Sequence, residues 1–141
     1  MNKILSACVL IFSSTALPVF ADDSPKHCSV ATLHDTYGFA DTGMNGPDPY
    51  STSGMESYDG EGNIKYTQLW HQNGVTKNYN GAGKITITAD CIANALYDPG
   101  NTWTYFVAPD GSRFYYYNNN PGTLIQAAGH EDRISRALLL N

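Results

Sequence analysis

From Lys84 to Ala89 the chain alternates strictly, with Ile85, Ile87 and Ala89 on one side and Lys84, Thr86 and Thr88 on the other. A period of two is the mark of a half-buried strand. The same period recurs from Asn101 to Gly122, where Thr102–Ala108 and Ser112–Tyr117 read as two arms of a hairpin joined at Pro109-Asp110-Gly111. Proline presets φ for the turn and glycine supplies a positive φ. Trp, Tyr, Phe, Val and Thr fill both arms, the side chains that suit a pleated surface. Trp103, Tyr105 and Val107 share one face against Thr104 and Phe106. Arg113, Tyr115 and Tyr117 share another against Phe114 and Tyr116.

A second hairpin pairs Ser53–Tyr58 with Ile64–His71 around Asp59-Gly60-Glu61-Gly62-Asn63. Gly54, Glu56 and Tyr58 fall on one face of its first arm. Ile64, Tyr66, Gln68 and Trp70 fall on one face of its second. Ser29–Asp35 reads as a short helical turn or an irregular lead-in, Thr36–Asp41 as the first strand, and Thr42–Thr52 as a candidate mouth loop rich in Gly and Pro. Asn73-Gly74 signals a turn, Val75–Tyr79 a weak strand, and Asn80-Gly81-Ala82-Gly83 another turn. Cys91–Leu96 and Thr123–Gly129 read as strands, with Asn118–Gly122 a turn cluster before the latter. Ile134–Leu140 fits a closing strand or a short helix equally. No helical period of useful length appears. Strands separated by turn signals roughly every 8–12 residues predict a sandwich or an up-and-down barrel. Consecutive hairpins favour the meander, and a barrel of about eight antiparallel strands leaves no open edge.

Residues 1–21 lie outside that fold. Lys3, the apolar stretch Ile4–Ala16, the break at Pro18 and Val19-Phe20-Ala21 have the layout of a secretory signal peptide cut after Ala21. Leu5-Ser6-Ala7-Cys8 resembles a lipobox, but it leaves too short an apolar stretch before Cys8. Of 141 residues, 120 remain from Asp22 onwards, enough for one domain with a modest core. Without Lys3 the formal charge moves from −5 to −6. No basic run is present, which argues against nucleic acid and against an anionic membrane surface as partners. No later apolar run approaches membrane-spanning length. A leader implies a periplasmic or extracellular protein, where two remaining cysteines, Cys28 and Cys91, are expected to pair. The alternative is a reactive thiol. A bridge closing a loop of more than 60 residues is worth about 4 kcal/mol in the chain-entropy model.

Several strings have a family look: Cys28-Ser29-Val30-Ala31-Thr32-Leu33 with Thr36-Tyr37-Gly38-Phe39, Tyr58-Asp59-Gly60-Glu61-Gly62-Asn63, Thr88-Ala89-Asp90-Cys91, and Phe106 to Gly122 closing on Asn120-Pro121-Gly122-Thr123. Together they resemble a group of small secreted bacterial proteins similar to the allene-oxide-cyclase-like barrels of the calycin type. The resemblance spans residues 28–130 and implies an eight-stranded barrel with an internal cavity. The wider superfamily includes cyclases that fold a reactive apolar substrate. The matching positions are turns and strand starts, so no catalytic residue carries over.

Motif chemistry is sparse. His27, His34, His71 and His130 are scattered with no metal-ligand spacing, and His130-Glu131-Asp132 reads as a solvated strand end. There is no Gly-x-Ser-x-Gly elbow and no phosphate loop ahead of a helix, so neither metal nor cofactor is expected. Aromatic load is the stronger signal. In a small barrel such rings either fill the interior or enclose one ligand. Tyr66, Trp70, Trp103, Tyr105 and Tyr115 are the candidate walls of a ligand site, and Glu56 and Gln68 the candidate polar groups for catalysis. Glu56 is a proton-exchanging carboxyl if its face is the lumen, and an ordinary solvated residue otherwise; the rarity of unpaired buried charge favours the latter. Three functions follow: a module binding a small apolar molecule, a cyclase or isomerase needing mainly shape and a few donors, and a structural or surface-interaction protein with a filled barrel.

Overall fold

The computed structural model describes residues 27–98, 100–118 and 124–140. The leader, its cleavage site and the Leu5–Cys8 string lie outside the described residues, as does most of the Asn118–Gly122 turn cluster. Eight antiparallel strands run in sequence order and close on themselves: β1 (Thr36–Asn45), β2 (Asp48–Tyr58), β3 (Asn63–Gln72), β4 (Val75–Ile87), β5 (Ile92–Tyr97), β6 (Asn101–Val107), β7 (Arg113–Asn118) and β8 (Ile125–Ser135). β8 returns to pair with β1, so the sheet closes into the expected up-and-down barrel, with Val75–Ala82 of β4 paired to β3 and extending beyond β5. No helix among the described residues is long and apolar enough to cross a membrane.

Glycines account for most departures from the expected elements. Thr42–Thr52 is not a loop: β1 and β2 continue through it and reverse at Gly46-Pro47, where Gly46 has φ +64°. A positive φ at the first of two turn residues suits the right-handed twist of a hairpin. Asn80–Gly83 is likewise no turn but the middle of β4. A Cβ at Gly81 would stand 2.6 Å from the Tyr66 ring, and one at Gly83 2.9 Å from the Tyr97 ring. These glycines make room for tyrosines lying flat on the barrel wall. Asn73-Gly74 is a true turn, with positive φ at both residues. Cys91 and Ala89 lie outside strands, Cys91 at φ +62°. β8 runs unbroken through His130-Glu131-Asp132, and residues 136–140 form neither strand nor helix. They hook back over the barrel end, where Thr36 Oγ1 donates to the Ala137 carbonyl at 2.7 Å and accepts from the Leu139 amide at 3.0 Å.

One end of the barrel is sealed. Leu33, 1% exposed, plugs it beneath a single 3-10 turn (Val30–Thr32). The Cys28–Cys91 disulfide ties this plug to the β4–β5 connection. Tyr37 Oη donates to the Gly111 carbonyl at 2.6 Å, and Arg133 and Asp35 form an ion pair at 2.6 Å whose N–H is turned off the line to the carboxyl oxygen. Tyr37, Tyr58 and Phe114 interlock above it with ring centroids 5.0–5.6 Å apart. Removing a ring of this kind from a packed core costs about 3–5 kcal/mol. The lower half of the lumen is therefore a filled core.

Candidate functional site

The upper half is open. Alternation along each strand aims Asp41 (β1), Tyr50, Thr52 and Glu56 (β2), Tyr66, Gln68 and Trp70 (β3), Tyr97 (β5), Trp103 and Tyr105 (β6), Tyr116 (β7) and Glu131 (β8) into one cavity of about 100 Å3. It shares Tyr66, Gln68, Trp70 and Asn101 with a wider vestibule of about 590 Å3 at the barrel mouth, rimmed by Asn45, Gln72, Lys77 and Asp98. Trp70 stacks on Tyr50 at 3.8 Å, and Trp103 meets Tyr116 edge-on at 5.5 Å. These two aromatic pairs come from β2/β3 and β6/β7, on opposite sides of the barrel, and Glu56 with its bonded phenols lies at the floor.

The floor is a carboxyl–phenol network. Tyr58 Oη and Tyr97 Oη both donate to Glu56 Oε2, at 2.5 and 2.6 Å. Tyr97 has one proton and spends it on Glu56, so the 2.5 Å contact between Tyr97 and Tyr105 has Tyr105 as donor. A chain of donors thus runs from Tyr105 through Tyr97 to Glu56. Burial pushes Glu56 up from 4.5 to about 7; the two phenols pull it down in part, and the charge of Asp41 adds to the rise. Glu131, 2% exposed, is also raised well above its ordinary value, first by burial and then by the charges of Glu56 and Asp41. Asp41 is also raised by burial, against the 2.6 Å hydrogen bond it accepts from Tyr116. Burial carries Tyr58, Tyr97 and Tyr105 well above their ordinary value, so they act as donors and not as phenolates.

Three polar atoms at this site lack a partner: Glu131 Oε2, Asp41 Oδ1 and the Tyr50 hydroxyl. Buried polar groups are nearly always paired, and the exceptions are informative. No three His, Cys, Asp or Glu side chains among the described residues converge as a metal ligand set.

Of the candidate walls, Tyr66, Trp70, Trp103 and Tyr105 line this cavity. Tyr115 does not. It lies on the outward face of β7, 57% exposed, and its ring packs against His130. Alternation along β7 sets Tyr115 and Tyr116 on opposite faces, and closure of the barrel turns Tyr116 inward. Glu56 is buried at 7% exposure, against the expectation of a solvated residue, because two phenols and a proton replace its water. Gln68 lines cavity and vestibule, its Oε1 accepting a long 3.4 Å bond from Thr52. Glu131 overturns the solvated reading of His130-Glu131-Asp132: its two neighbours face out while it points in. Asp41, Tyr50, Tyr97, Tyr116 and Glu131 were not among the sequence candidates. Alternation with Tyr37 and Phe39 marks Asp41, and alternation with Gly129 marks Glu131, once each strand is drawn at its full length.

Comparison with protein-family models, with curated proteins and with solved structures yields no match to this chain.

Proposed function

We propose that this protein binds a small, largely apolar molecule in the upper lumen of the barrel. The observation that carries this reading is the division of the lumen: packed solid below Glu56, and open above it between Tyr50/Trp70 and Trp103/Tyr116. A concave, mostly aromatic site with a few convergent polar groups is the usual form of a small-molecule pocket. The filled-barrel alternative loses ground to the same observation. A closed up-and-down barrel with an internal cavity is compatible with the calycin-like resemblance, and the allene-oxide-cyclase-like affinity is kept as part of this proposal. The leader-like residues 1–21 and the Cys28–Cys91 bridge support export to the periplasm or the exterior. Intact mass of the exported protein checks this: a chain beginning at Asp22 with no free thiol is expected, and a retained leader or two free thiols argues against export.

The binding test uses N-phenyl-1-naphthylamine, a neutral apolar fluorophore. Saturable enhancement is expected, with quenching of tryptophan emission, and Trp70→Ala should weaken it at least tenfold. Absence of saturation, or equal binding by Trp70→Ala, refutes the lumen as the site. A second reading, a cyclase or isomerase on a reactive apolar substrate, is favoured by Glu56: a carboxyl poised near neutrality beside three phenol donors is suited to proton transfer and to stabilising developing charge. Glu56→Gln would then abolish turnover while leaving fluorophore binding intact.

A further inference from the structure

The apolar walls explain how a guest is held, but not the floor. Asp41, Glu56 and Glu131 bring three carboxyls into one small cavity, and its lining contains no Lys, Arg or His. Glu131 is nearly completely buried, lines that cavity and has Oε2 unpartnered; Asp41 Oδ1 is unpartnered as well. The phenols satisfy only part of the acceptor capacity, since Tyr58 and Tyr97 both serve Glu56 Oε2, while Tyr116 serves Asp41 Oδ2. What this lining lacks is positive charge.

We infer that the ligand is a small organic cation: a primary ammonium held by the unpartnered oxygens of Asp41 and Glu131, carried on an aromatic body that lies between Trp70 and Trp103. This rests on the lumen being the binding site. An ammonium has three N–H donors and no acceptor, the complement of a floor made of unpartnered carboxyl oxygens. Tyr66, Trp70, Trp103 and Tyr105 line the same cavity, and a cation over an aromatic ring gains cation–π attraction. An anionic guest meets carboxyls with no opposing charge, and an alcohol brings one donor where several acceptors wait. Size agrees. A cavity of about 100 Å3 has the room of roughly three waters, enough for an ammonium and one or two carbons. A ring carried on them reaches past Trp70 into the 590 Å3 vestibule that Trp70 also lines.

The test compares 2-phenylethylamine with 2-phenylethanol, its neutral isostere, by titrating tryptophan emission of the disulfide-intact protein near pH 7.5. The amine is expected to bind at least tenfold more tightly than the alcohol. Glu131→Gln and Asp41→Asn should each shrink that preference at least threefold through weaker amine binding. If the alcohol binds as well as the amine, the cation assignment falls and the lumen site stands. If neither probe binds while the fluorophore does, the cation assignment falls again. If the fluorophore fails too, both readings fall together. The amine-to-alcohol ratio of the unaltered protein decides the matter even if a variant does not fold.

Discussion

Replacing Glu56 by Gln should make the barrel more stable at neutral pH and should flatten its pH dependence. The unfolded chain releases the Glu56 proton near 4.5, whereas the folded barrel holds it to about 7. Below pH 4.5 both states are protonated and the carboxyl's contribution is fully present. Between 4.5 and 7 the unfolded state sheds its proton first, so folding loses about 1.4 kcal/mol per pH unit. The total lost across the window is on the order of 3 kcal/mol, a large share of the 5–15 kcal/mol typical of a domain. Gln keeps an oxygen that can accept from Tyr58 and Tyr97 but carries no charge to desolvate. Asp41 and Glu131 are raised in the same direction, so some slope persists in the variant. Asp110, held below its ordinary value by the amide and hydroxyl of Ser112, titrates beneath the window and does not interfere. The assay is urea unfolding followed by tryptophan fluorescence at pH 4.5, 6 and 7.5. At about 1–3 kcal/mol per molar urea, the midpoint of the unaltered protein should fall by about 1–3 M across that range. That of Glu56→Gln should fall much less. A flat or rising profile in the unaltered protein, or parallel profiles in both, would refute a buried, proton-retaining Glu56.

Tyr97→Phe removes a donor from Glu56 and the acceptor of Tyr105; it should cost about 1–3 kcal/mol and move Glu56 titration upward from about 7, read by carbon NMR of the side-chain carboxyl. A downward move contradicts the hydrogen-bond direction. Gly129→Ala places a Cβ 2.6 Å from Tyr116 Oη and 2.8 Å from Asp41 Cβ, so a loss of about 1–3 kcal/mol is expected from overpacking; urea unfolding unchanged from the parent would show that the wall is slack there. Replacing both Cys28 and Cys91 by Ala should cost up to about 4 kcal/mol, since the bridge closes a separation of 63 residues, and an unaltered melting temperature would mean the plug is held by packing alone. Tyr115→Ala, on the outer wall, should shift stability by less than about 0.5 kcal/mol and leave fluorophore affinity as it was; a tenfold loss of affinity would return Tyr115 to the list of ligand contacts.

Period-two patterning and turn chemistry are local, and they carried the class. Ile85/Ile87, the Pro109-Asp110-Gly111 reversal and Asn73-Gly74 were legible because each depends on a residue's own backbone preference and its immediate neighbours. The all-β class and the run of antiparallel hairpins could be stated from those signals, and the Cys28–Cys91 pair from the leader and the two cysteines that follow it. Gly43, Gly81 and Gly83 were not legible in the same way. Each is indistinguishable from a turn glycine until Tyr50, Tyr66 or Tyr97 is seen covering it, and those contacts come from neighbouring strands. That is why β1, β2 and β4 look shorter in sequence than they are.

The site followed the same division. That Glu56, Tyr58, Tyr66 and Trp70 alternate on common faces is a property of the sequence; which face is inside is a property of closure. Only when β8 pairs with β1 does one side of every strand become a lumen, carrying Tyr116 inward and Tyr115 outward. Closure also sets Asp41, Glu56 and Glu131, from β1, β2 and β8, around a single cavity. Their charges act on one another through a water-poor interior and not along the chain, so the acidic floor has no signature in any window of sequence. The chain by itself determined the strands and the residues they alternate; the tertiary structure decided what those residues surround.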